Sequence, residues 1–170
     1  MSGNLARLLI SALIIGTAAA AVITFIASPT VDAHSVRVHV LNPLGTLEPT
    51  TALPDAWRRA TAGLGSLHVV ASPDEANVVI MLLPGDGQNM SWRINARQRA
   101  VVISVGSAAV QKYGITVVVH EIGHLWCCNV GGFADGHWAN DAEAGLMNAS
   151  GYGYDLGLFS PRELRSMGLR

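Results

Sequence analysis

Residues 115–128 read Ile-Thr-Val-Val-Val-His-Glu-Ile-Gly-His-Leu-Trp-Cys-Cys. The run is apolar up to His120, continues to the cysteines, and has Gly131-Gly132 beyond it. Its length favours a buried helix over a strand, although Val117, Val118 and Val119 are β-branched. Residues four apart share one face of a helix, so His120 and His124 can turn their imidazoles toward a single metal ion. Glu121 sits beside the first histidine, where a carboxylate acts on water at the metal rather than on the metal itself. Two histidines and a carboxylate on a buried helix are costly unless they have partners, and a metal supplies one. Structural zinc sites close with four protein ligands rich in cysteine, whereas His120, Glu121 and His124 leave a position open. The expected cofactor is one catalytic Zn2+, with Glu121 as general base.

Upstream, strands and a helix alternate. Ser35 to Leu41 sets Val36, Val38 and Val40 against Arg37 and His39, the period of a half-buried strand. Thr51 to Leu64 places Leu53, Ala56, Trp57, Ala60 and Leu64 at helical spacing. Leu67 to Ala71, Asn77 to Leu83 and Ala100 to Val105 are apolar and partly β-branched, and Met90 to Arg99 alternates Trp92, Ile94 and Ala96 with polar neighbours. Downstream, a glycine-rich stretch leads to Ser160-Pro161-Arg162-Glu163, where Ser160 as cap and Pro161 in the first helical position open a short final helix. The expected fold class is α/β (α+β): a twisted mixed sheet in a strand-helix-strand layout, a long metal-binding helix across it, and a short C-terminal helix.

Leu8 to Ala27 carries no charge and follows Arg7, so residues 8–27 are expected to enter a membrane. They serve either as a retained anchor or as a signal peptide cleaved at Val31-Asp32-Ala33. Both readings make residues 1–33 a membrane segment and 34–170 an extracytoplasmic domain, anchored or secreted. With a formal net charge of -1 and eleven scattered Lys and Arg, nucleic acid is excluded as a partner. The only cysteines, Cys127 and Cys128, are adjacent and cannot staple distant segments. They read as packed thiols, as a vicinal disulfide, or through Cys127 as a thiolate ligand. His34, His39 and His68 lack metal spacing.

Two blocks, HEIGHLWCC at 120–128 and GLMNASGYG at 145–153, make the chain resemble the metzincin clan of zinc peptidases, nearest to its matrixin-like members. Met147 matches the methionine of the turn beneath zinc in that clan, and Phe159 to Met167 resembles its C-terminal helix. The similarity spans residues 35–170, but it departs from H-E-x-x-H-x-x-G-x-x-H: the glycine falls on Cys127 and the third histidine on Val130, which cannot bind zinc. The nearest later histidine, His137, is expected as third ligand, presented by a lengthened loop, with Asp135 as its rival. Glu143 suits the other design, in which a glutamate from a following helix completes the site, and Met147 counts against it.

The resemblance implies a metalloendopeptidase acting on peptide or protein substrates. It further implies substrate extended along an edge strand near Arg97 to Val105, a specificity pocket within Asn148 to Tyr154, and Tyr152 or Tyr154 bonding the developing oxyanion. No inhibitory pro-domain is expected between Ala27 and the first strand. Two other function classes stay open: a membrane-tethered zinc-binding or interaction module that does not cleave, against which an intact Glu121 argues, and a sensor built on the cysteine pair.

Overall fold

Strand β1 spans Ser35–Leu41, with Val36 and Val38 buried and Ser35 and Arg37 turned outward, as the alternation predicts. The computed structural model describes residues 31–42, 45, 49–85, 90–93, 101–126, 145–148 and 157–170. β1 pairs in parallel with β2 (Ser66–Val69) on one side and with β3 (Val78–Leu83) on the other. β3 continues in parallel to β5 (Val101–Gly106), and β4 (Met90–Arg93) closes that edge antiparallel to β5. The order is β2-β1-β3-β5-β4, a mixed α/β fold with four parallel strands. β3 reads VVIMLL without polar interruption: Val78, Ile80 and Leu82 enter the main core, and Val79 packs in a smaller cluster.

That order corrects one expectation. β5 holds part of the stretch near Arg97 to Val105 expected to be an edge, but it lies between β3 and β4 with both its backbone sides engaged. Among the described residues the edges are β2 and β4. Strand pairing is non-local, so apolar periodicity finds a strand without ranking its position in the sheet.

Helix α1 (Pro49–Ala60) buries Leu53, Ala56, Trp57 and Ala60, one apolar stripe at helical spacing. Leu64 does not continue it. Ala62 (φ 53°) and Gly63 (φ 79°) enter the left-handed region, the Gly63 N–H bonds Arg58 O at 2.8 Å, and Leu64 is exposed. Thr61 ties the turn by donating its hydroxyl to Trp57 O at 2.9 Å while accepting from the Gly65 N–H at 3.2 Å.

Helix α2 (Ser107–Tyr113) was not anticipated, being too short for periodicity and burying only Ser107 and Val110. Gly114, at φ 65° and ψ -156°, separates it from α3 (Ile115–Gly123). The helix expected to be long is therefore nine residues, followed by a turn through Trp126. All residues from Val117 to Gly123 are buried, so packing overrides the weak helix preference of three valines. Helix α4 (Pro161–Ser166) has the expected Ser160 cap and Pro161 start.

The helices cover one face of the sheet. Val36, Val38, Ile80, Leu82, Ile103 and Val105 meet Leu53, Trp57, Val118, Ile122, Phe159 and Leu164 in one core. The opposite face carries a smaller cluster of Ala76, Val79 and Val102. Val31 and Ala33, just ahead of β1, are buried in the main core. Among the described residues no helix is long and apolar enough to cross a membrane. The segment 8–27 lies outside them.

Candidate metal centre

The last turn of α3 carries the polar groups. His120, Glu121 and His124 are 2%, 5% and 8% exposed, an unusual set for the interior of a helix whose preceding turn is all valine. One potential ligand atom from each lies within 4.8 Å of those of the others, so the group could hold a metal ion. His124 is the cap of α3, still in helical geometry (φ -59°, ψ -16°), and its N–H bonds His120 O at 3.3 Å. The helical ladder thus carries both imidazoles to one side, with centroids 4.8 Å apart and ring planes 86° to one another.

His120 is oriented from outside the helix. Its Nδ1 lies 2.8 Å from Leu146 O, and because a carbonyl only accepts, Nδ1 carries the proton. The neutral ring then presents Nε2 as a lone pair, the state in which histidine binds metal. This bond and the donor set, two imidazoles with an adjacent carboxylate, fit a divalent ion of the zinc type. They also fit the division of labour in which the imidazoles ligate and Glu121 handles a proton.

Residues 145–148 form a turn closed by Asn148 N–H on Gly145 O at 3.2 Å and tied back by Leu146 N–H on Leu158 O at 2.9 Å. Met147 is fully buried, and its sulfur lies against Gly123. A Cβ at position 123 would stand 2.7 Å from Met147 Sδ and 2.9 Å from Phe159 Cε1, so the Gly in His-Glu-Ile-Gly-His is needed for close approach. Gly145 meets the same demand: a Cβ there would collide with Ser160 N, and with Glu163 Oε2 and Leu158 O. Glu163, fully buried, accepts from Gly145 N at 3.0 Å, Met147 N at 3.1 Å and Ser160 N at 2.8 Å.

Beyond His124, the turn is pinned by Trp126, whose indole N–H bonds Val31 O at 2.8 Å. Trp126 stacks at a tilt on Trp57 (5.9 Å between centroids), and Trp57 meets Phe159 edge-on at 5.7 Å. An aromatic row therefore runs from Trp126 through Trp57 to the Phe159 that touches Gly123 of α3.

Of the residues expected from sequence, the structure brings together His120, Glu121, His124 and, below them, Met147. His137, Asp135, Glu143, Cys127, Cys128, Tyr152 and Tyr154 lie outside the described residues. Sequence reading missed Gly123, Leu146 and Glu163 as parts of the site. Glu163 had a signal, since Ser160-x-x-Glu163 is a capping box, present here with Glu163 N–H also bonding Ser160 Oγ at 3.3 Å. Leu146 had none, because it serves through its backbone carbonyl. No protein-family model, curated protein or solved structure matches the chain.

Proposed function

We propose that this chain is a zinc-dependent peptidase of the metzincin kind, working outside the cytoplasm as an anchored or secreted enzyme. The observation that carries the proposal is the convergence of His120, Glu121 and His124 at the buried end of α3, with His120 Nδ1 committed to Leu146 O. His120 and His124 would hold the ion through ring nitrogens, and His137 is the preferred third ligand over Asp135 or Glu143. Zinc bound there supplies a Lewis acid that polarises a peptide carbonyl and acidifies water. The Glu121 carboxylate accepts the proton of the attacking water and returns it to the leaving amine nitrogen. Burial of the three side chains keeps bulk water from competing for them. Met147 seated against Gly123, ahead of α4, supports the metzincin assignment in its order along the chain. An extended peptide would pair with β4, the strand beyond β5, and add to the sheet with little sequence selectivity.

Bound zinc and cleavage of a diverse peptide library, measured for wild type and Glu121→Ala, test the reading. Cleavage by wild type, lost in the variant with zinc retained, is the expected result. A zinc-loaded wild type that cleaves nothing makes the chain a zinc-binding module instead. Zinc content of His137→Ala tests the third ligand, and full occupancy in that variant removes His137 from the site.

A further inference from the structure

The peptide unit joining Leu146 to Met147 has both its polar ends engaged. Its carbonyl accepts from His120 Nδ1 at 2.8 Å, and its N–H donates to Glu163 Oε1 at 3.1 Å. A trans peptide is planar, with C=O and N–H pointing in opposite directions, so rotating one end must rotate the other. The same carboxylate oxygen takes Gly145 N–H at 3.0 Å, and its partner oxygen takes Ser160 N–H at 2.8 Å, so Glu163 is fixed at three points. It is fully buried, and no solvent replaces a lost bond.

We propose that Glu163 is a positioning residue for His120, acting through the single peptide unit between Leu146 and Met147. A histidine ligand ordinarily gives its second ring N–H to a carboxylate or carbonyl, which sets the tautomer and raises the basicity of the metal-facing nitrogen. Here the carbonyl does this directly and the carboxylate stands one peptide behind it. Hydrogen bonds in series polarise one another, so the carboxylate on the N–H strengthens the carbonyl as an acceptor for Nδ1. Gly145 makes room for the arrangement, since any side chain there would collide with Ser160 N and the Glu163 carboxylate.

The inference rests on the metal reading for its affinity arm alone; the tautomer arm needs no metal. In the metal-free full chain, at pH about 8 where imidazole is neutral, 15N shifts of the His120 ring are expected to report Nδ1–H. An Nε2–H tautomer in wild type overturns the proposal and leaves zinc binding to be judged separately. In Glu163→Ala, mixed tautomers and a zinc affinity about ten- to a hundredfold weaker are expected. Glu163→Gln keeps an oxygen for the Gly145 and Met147 N–H groups and is expected to recover most of both. Leu169→Ala removes buried packing near α4 without touching the turn, and is expected to leave tautomer and affinity as in wild type. Equal losses in Leu169→Ala and Glu163→Ala, or none in Glu163→Ala, overturn the proposal. Should Glu163→Ala fail to fold, the wild-type tautomer and the Glu163→Gln affinity decide it. A wild type that shows Nδ1–H but binds no zinc defeats the peptidase reading and leaves the positioning of His120 standing.

Discussion

Helices α3 and α4 each bury a glutamate, and different groups stand beside the two. Glu163 is met by three backbone N–H groups, donors that belong to the fold and do not move without it. Glu121 is met by side chains: the metal-binding atoms of His120 and His124 lie within 4.8 Å of its own. Backbone amides hold a carboxylate in place; imidazoles gathered around one leave it with protons and ions to exchange. Burial is nearly equal, so exposure alone does not separate a carboxylate held by backbone amides from one grouped with imidazoles.

The sharpest way to break this contrast is to place the same amide at both positions. Glu121→Gln is expected to lower kcat/KM for a cleaved peptide by about 10²- to 10⁴-fold with zinc content unchanged. Glu163→Gln is expected to show its loss in a denaturant melt, about 1 kcal/mol, because its NH2 faces the Ser160 N–H that a carboxylate oxygen accepted. Comparable catalytic rates in wild type and Glu121→Gln would erase the distinction.

Metal removal refines it. Chelation is expected to stop hydrolysis, and zinc returned at a hundredfold excess over Kd to add about 2.7 kcal/mol of stability. Glu121→Gln should gain the same amount, whereas a markedly smaller gain would move Glu121 among the ligands. Gly123→Ala tests the floor of the site: the added methyl meets Met147 and Phe159 and is expected to cost about 1–3 kcal/mol in thermal or denaturant melts. An unchanged melt would mean that Met147 is not held against the helix. Trp126→Phe keeps an aromatic ring but withdraws the donor from Val31 O, with an expected cost of about 1 kcal/mol.

What could be read in advance followed from short-range physics. β1 matched its alternation through Val38, with His39 and Val40 both half-buried, and α1 kept its buried stripe from Leu53 to Ala60, because both patterns are local. The capping residues of α4 were legible for the same reason. α3 needed length to outweigh its valines, and its extent was overestimated because Gly114 and the turn after Gly123 interrupt an otherwise continuous apolar run. The place of β5 inside the sheet, the contact of Gly123 with Met147, and the carbonyl of Leu146 were not legible. Each joins residues distant in sequence or uses a backbone atom that every residue possesses. At the candidate site, the histidines and glutamate on one helical turn were visible, and the backbone carbonyl bonded to His120 was not.

The bond from Trp126 to Val31 also ties the residues ahead of β1 to the turn after His124. Val31 and Ala33 are 7% and 1% exposed, and Val31 O holds the residue directly ahead of Cys127. A chain that began after Ala33 would lack two core residues and the acceptor of the Trp126 indole N–H. Val31 and Ala33 thus belong to the packed core, and the turn after His124 is fastened through Val31.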